Sequence, residues 1–302
     1  MDIRSEKSVQ NADRRKRVAG QAVGPALPTN GRWACMTLDF EQDYGARIGE
    51  FNILTKHRGR VSDLAEAFRD LGLPVSAFVQ TDLLERYPDS LAVLQELASD
   101  FHVHSHTHAT KSFRSDWEMA ESMRVFERHF EHVPLGYRAP QGVLNDGDVD
   151  RLKTHGFKFS SSVFPSYRPG KFNHLGLPLG PFAYENEIVE LPLAVVKGVR
   201  LTVSMSYLKL LGYAINRSLW GAFGLPDVLV LDSHLHDFIV SDESFAKLPP
   251  AIRAAYGINK HKGTSYLSRL IGLLKNRGYR FTTMTDLYRV AAGRTTNRTN
   301  AD

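Results

Sequence analysis

Apolar runs of strand length alternate with segments of helical periodicity along most of this chain. Trp33–Asp39 is a short apolar run that ends on an acid. In Val61–Leu73, the residues Val61, Leu64, Ala65, Phe68 and Leu71 recur at helical spacing and predict an amphipathic helix. Pro74–Gln80 reads as a second strand, Asp89–Leu97 as a helix opened by an acidic cap, and Phe101–His104 as a third strand. Ser115–Phe130 predicts a long helix with Trp117, Met119, Met123, Phe126 and Phe130 near one side. Leu135–Arg138 is strand-like, and Asp146–His155 is helical with Gly156 as its stop. Phe157–Ser160, Ile188–Leu191 and the strongly apolar Asp227–Asp232 read as strands. Tyr266–Asn276, Arg280–Thr283 and Met284–Ala291 predict a closing helix, strand and helix. Such alternation points to an α/β fold with a parallel sheet or barrel, and no repeat suggests a solenoid.

The termini break this rhythm. Residues 1–30 are polar and charged without periodicity, which predicts a disordered basic tail; residues 31–292 are expected to form a single domain and 293–302 a flexible C-terminal tail. The formal net charge is +5, but the first thirty residues hold +3 and the last ten +1, leaving +1 on the body. A basic groove for nucleic acid is therefore not expected. One cysteine, Cys35, excludes a disulfide scaffold and a cysteine-rich zinc or iron–sulfur site and reads as a small core residue. No apolar run follows Arg14–Arg17, so no secretion signal is visible, and a cytoplasmic location or one peripheral to the membrane is expected. Val203–Gly224 is the longest apolar stretch, yet Lys209, Asn216 and Arg217 interrupt it. It predicts a buried or membrane-touching segment, not a transmembrane span. The oligomeric state is not encoded in any visible pattern.

Chemistry-bearing residues cluster where the predicted strands end. They are Asp39-Phe-Glu41-Gln-Asp43, His104-Ser-His106-Thr-His108, Arg138-Ala-Pro140 and Asp232-Ser-His234-Leu-His236-Asp237. One acid at a strand end is usually a cap, whereas four clusters exceed what capping needs. In α/β barrels reactive groups come from the C-terminal ends of strands. His102 and His104 share a strand face, and a turn after His104 would bring His108 back to the same point. A carboxylate would complete a three-donor metal site with open positions. His106 competes as a ligand, and His102 either lines the site or holds structure. No Gly-x-Ser-x-Gly nucleophile motif is present.

The order and spacing of these clusters resemble the polysaccharide deacetylase family, metal-dependent carbohydrate esterases with the NodB homology domain. Thr37-Leu-Asp39-Phe-Glu41-Gln-Asp43-Tyr-Gly45 resembles the first family motif with one residue between the acids. His104–His108, Tyr137-Arg138-Ala139-Pro140 and Leu229–His234 resemble the second, third and last. The resemblance implies a distorted (β/α) barrel. It implies Asp39 as catalytic base, His234 as general acid and Arg138 orienting the base. A divalent metal, zinc or else cobalt, would sit on Glu41, His104 and His108, with Asp43 the alternative carboxylate. Tyr44, Pro140, Gln141 and His236 would contact substrate. Three departures stand out. Glu41 replaces an aspartate; Ser160–Ser162 stand where the family's fourth motif offers an acid to orient the histidine, leaving Asp232 or Asp237 for that task; and Gln141 stands where an aromatic is common.

The expected reaction removes an N- or O-acyl group from a carbohydrate, either a glycan or a lipid-linked sugar. Rival expectations are a metal-dependent amidase on a small metabolite and a catalytically impaired glycan-binding relative. An open groove with aromatic walls would favour the sugar, and a small closed pocket the metabolite. Tyr44, Phe164, Tyr167, Phe182 and Tyr184 are candidate stacking surfaces. Residues 184–226 and 238–262 exceed the needs of barrel strands and are expected to shape or cover the cleft.

Overall fold

Short strands covered on both faces build the fold, as expected where helices connect parallel strands. The computed structural model describes residues 17–45 and 47–293. Its strands are β1 (Arg17–Val18), β2 (Gln21–Ala26), β3 (Arg32–Phe40), β4 (Val75–Val79), β5 (Asp100–Val103), β6 (Gly136–Tyr137) and β7 (Phe159–Ser160), then β8 (Tyr167–Arg168), β9 (Phe172–Asn173), β10 (Phe182–Tyr184), β11 (Val189–Glu190), β12 (Val228–His234) and β13 (Tyr279–Phe281). The parallel run is ordered β11-β7-β6-β5-β4-β3-β12, with β13 also parallel to β3. Past β11, Leu193 forms a parallel bridge with Val230 of β12. That isolated bridge brings the two ends of the run together without closing a continuous sheet, in keeping with the distorted (β/α) barrel that the resemblance implied.

Alternation along β3 sorts its side chains. Ala34, Met36, Leu38 and Phe40 pack outward against Val61, Leu64 and Phe68 of helix Arg58–Asp70 and Leu267, Ile271 and Leu274 of helix Gly263–Asn276. Cys35 points inward with Phe78, Phe159 and Val230, and Met284, Leu287 and Tyr288 of the closing helix join that cluster. Thr37 and Asp39 continue the inward face towards the C-terminal end of the strand. The closing helix therefore fills the end of the interior opposite Asp39.

One expectation needs correction. Residues 17–30 are not tail: β1 and β2 form an antiparallel hairpin, and β2 pairs with β10 at the edge of the sheet. These edge strands are short, carry Gly24 and Pro25, and lack alternation, so the pattern hid them. Residues 1–16 of the expected tail, and 294–302 of the C-terminal one, lie outside the described residues. The apolar stretch Val203–Gly224 is two helices, Met205–Leu211 and Tyr213–Ala222, broken at Gly212 (φ 79°). Lys209 and Asn216 are buried within them. Among the described residues no helix is long and apolar enough to cross a membrane.

Packing is tight where β6 meets β7. A Cβ at Gly136 would lie 2.2 Å from the Phe159 ring. That ring is itself held by His102 and Tyr288. Gly136→Ala is expected to lower the unfolding free energy by about 1–3 kcal/mol in urea denaturation, the usual cost of overpacking. A loss below about 0.5 kcal/mol would mean that the ring yields freely.

Candidate active site

Register brings the site together. β12 pairs with β3 so that His234 stands opposite Asp39. His104 extends β5 by one residue, its N–H donating to the Val79 carbonyl over 2.8 Å. Arg138 likewise follows β6, its N–H donating to the Val103 carbonyl. The strand ends converge on one mouth, and the four clusters of polar residues meet there.

Glu41, His104 and His108 form a three-donor group. Glu41 Oε2 lies 2.7 Å from His108 Nε2 and 3.4 Å from His104 Nε2. His104 Nδ1 lies 3.0 Å from the Arg138 carbonyl and donates to it, which turns Nε2 towards Glu41. His108 reaches the same point because Ser105 and His108 adopt left-handed backbone (φ 59° and 64°), with the His108 N–H donating to Ser105 Oγ. Burial would raise the Glu41 carboxyl, but His108, His104 and His234 outweigh it and hold it well below the usual carboxylate range. Two imidazoles and a carboxylate with converging donor atoms suit a divalent cation such as zinc.

The competing donors point elsewhere. Asp43 accepts from Ser244 Oγ and the Ile53 N–H, and burial pushes its carboxyl up to about 6. His106 Nδ1 is 3.0 Å from Thr81 Oγ1 and its ring lies against Trp117. His102 pairs with Asp100 between the Phe78 and Phe159 rings.

Arg138 crosses beneath the mouth. Its Nη1 donates to Asp39 Oδ1 (2.6 Å) and Thr37 Oγ1 (2.9 Å) and stands 3.4 Å from Asp232 Oδ1. Its Nε and Nη2 donate to the Ser161 carbonyl and Ser161 Oγ, and the guanidinium lies 3.9 Å from the centre of the Phe78 ring. The serines of the fourth-motif segment thus hold the arginine, and Ser162 Oγ accepts the Ala139 N–H.

Two buried acids that the sequence did not single out anchor the neighbouring turns. Glu190 accepts the Ser162 and Val163 N–H groups, and Glu118 accepts those of His106 and Thr107. An acid inside the apolar run Ile188–Leu191 was the available signal for Glu190; Glu118 lies on a charge-rich helix and left none.

His234 has acids on two sides. Its Nε2 is 3.3 Å from Glu41 Oε1 and 3.9 Å from Asp39 Oδ2, and its Nδ1 is 3.5 Å from Asp237 Oδ2. Burial would depress the imidazole, but Asp232, Asp237, Glu41 and Asp39 together raise it well above the usual histidine range. Asp232 itself is pushed up to about 6 by burial and by Asp39. Asp237 is held low, against its burial, by His234 and Lys209. It accepts from Ser206 Oγ (2.8 Å) and the His234 N–H, with buried Lys209 Nζ 3.9 Å away. Lys209 was the charge that interrupted the apolar stretch. His236 stacks on His234 and Tyr44, and burial and His234 depress it to about 3.

Above these groups opens a cavity of about 330 Å³. Of the expected substrate contacts, Tyr44, Gln141 and His236 line it; Pro140 is buried at the start of a single helical turn and does not. Phe164 and Tyr167 line it as well, joined by Phe172, Tyr207 and Tyr256, which the sequence did not single out. Phe182 and Tyr184 are buried in β10. Tyr207 comes from residues 184–226 and Tyr256 from 238–262, so both long insertions contribute to the wall.

Comparisons with known proteins agree with this architecture. A putative polysaccharide deacetylase from Mycobacterium smegmatis superposes with a TM-score of 0.54 at 16% identity, covering 93% of this chain and 99% of that one. PuuE allantoinase superposes with 0.54 at 15% identity, covering 90% and 96%. A CE4-family pseudoenzyme from Bacillus anthracis reaches 0.50 at 11% identity, covering 86% and 66%. At such identities the likeness is one of fold. No curated protein matches the sequence. Residues 36–160 match the polysaccharide deacetylase family model, and that segment holds Asp39, Glu41, His104, His108 and Arg138. The match identifies residues 36–160 as a polysaccharide deacetylase domain and extends no further along the chain.

Proposed function

We propose that this protein hydrolyses an acyl group from a carbohydrate, with zinc held by Glu41, His104 and His108. The observation that carries this reading is the placing of Asp39 and His234 side by side over the three-donor group, His234 Nε2 being 3.9 Å from Asp39 Oδ2. A divalent cation bound there supplies Lewis acidity to the attacking water and to the acyl carbonyl. Asp39, oriented by Arg138, accepts the proton that the water loses as it adds to the carbonyl carbon. His234, charged and flanked by Asp232 and Asp237, gives a proton to the departing nitrogen or oxygen as its bond to the carbonyl breaks. Acid and base are thus set apart by their surroundings. Asp237 takes over the orienting task that the fourth-motif serines lack. An open cavity walled by Tyr44, Phe164, Tyr167, Phe172, Tyr207 and Tyr256 favours a sugar, whose faces stack on aromatic rings, over a small enclosed metabolite.

Three tests follow from this assignment. His104→Ala and His108→Ala are each expected to abolish stoichiometric zinc uptake in elemental analysis, whereas His106→Ala and Asp43→Asn retain it; uptake lost only in Asp43→Asn would move the site. With metal retained, Asp39→Asn and His234→Ala are each expected to slow acetate release from acetylated chito-oligosaccharides by about 10²–10⁴-fold. Full activity in either variant would remove that residue from the mechanism. The third test is pH. His234 must be protonated to act as the acid, so the rate falls on the alkaline side as it loses its proton. Asp232 is the largest of the charges that raise it. Asp232→Asn is therefore expected to move the alkaline limb of kcat/KM to lower pH, and an unmoved limb would assign it to another group.

A further inference from the structure

Three cations stand at the mouth of the cavity without a carboxylate among them. Arg47 comes from the loop after β3, and Arg168 and Lys171 from the β8–β9 hairpin. Arg47 and Arg168 line the same cavity as Asp39, His104 and His234. Lys171 donates to Gln141 Oε1, which lines it too. All three are exposed. Among the described residues neither arginine has an ion-pair partner. The acids below are engaged, Asp39 and Asp232 by Arg138 and Glu41 by the histidines. Glu50, on the Arg47 loop, is taken by Lys247 and Asn52, and Asp43 faces Ser244.

Partial burial, then Arg168 and Arg47, lower the Lys171 ammonium from its ordinary range. The three charges therefore feel one another across the gap between two chain segments. Solvated loop cations usually spread apart or find acids. Gathering them costs repulsion, and a bound counter-charge relieves it. Since residues 31–292 carry a net charge of only +1, the excess at the rim is local.

We propose that this rim is a subsite for an anionic group, phosphate or carboxylate, borne by the acylated sugar or by the residue next to it. The inference rests on the carbohydrate-deacylase reading and narrows its substrate to charged sugars. Two guanidinium forks suit the paired oxygens of either anion, and the lysine adds a mobile point charge. The anion sits at the rim while the acyl group reaches the histidines below.

The test uses the zinc-loaded protein and three forms of one sugar: N-acetylglucosamine, its phosphate ester and its uronic acid. Wild type is expected to release acetate from at least one anionic form with kcat/KM about tenfold or more above the neutral form, mainly through KM. Which anion wins identifies the group. Arg47→Ala combined with Arg168→Ala is expected to erase the preference, and added salt to weaken it. Lys153→Ala, an exposed cation away from the cavity, is expected to keep it. Equal turnover of all three sugars by wild type overturns the subsite and leaves the deacylase reading intact. No acetate from any sugar overturns the deacylase reading instead. The subsite is then decided by calorimetric titration with inorganic phosphate: binding lost in the double variant upholds it, and equal binding in both proteins overturns it.

Discussion

A guanidinium almost sealed from water is the constraint on which the rest of this structure depends. Arg138 is 2% exposed, and its partners come from β3, β12 and the turn after β7. An unpaired charge at that depth costs several kcal/mol, so the strands carrying those partners can pack only with Asp39, Thr37 and Ser161 in place. The geometry of the proposed base is thereby fixed as a condition of folding. The serines that replace the family's fourth-motif acid serve the same end, since Ser161 and Ser162 hold the arginine and the residue after it.

The acids at the mouth are held in different states by what surrounds them. Glu41 stays ionised against its burial because imidazoles ring it. Asp232, deep and next to Asp39, is pushed towards neutrality, while Asp237 is kept charged by His234 and Lys209. His234 stands between these acids and remains cationic. Proximity of like charges here sets the carboxylates apart, with the histidine as common counter-ion.

Much of the site was legible because its residues end apolar strands. Asp39, His104, Arg138 and His234 interrupt hydrophobic runs at points where a parallel sheet delivers side chains to one mouth. What stayed hidden depends on partners far away in the chain. Nothing around Glu118 reveals that it secures the turn at His106, and Lys209 reads as a mere break in an apolar stretch until Asp237 is placed beside it. The β1–β2 hairpin was hidden for a different reason. Edge strands of two and six residues with glycine and proline have no period to detect, and their order comes from pairing with β10. The clustering of Arg47 with Arg168 and Lys171 was equally invisible, since more than a hundred residues separate the two segments.

The pairing of Lys209 with Asp237 makes the inserted helix Met205–Leu211 and the turn after β12 a single electrostatic unit. A chimaera that borrowed the helix from a relative without the turn would bury an ammonium opposite no carboxylate, and the reciprocal graft would strand the acid. Recombination within this fold therefore has a natural cassette, running from residue 205 to residue 237. Crossover points inside it break the charge balance, and those outside it leave the support of His234 intact.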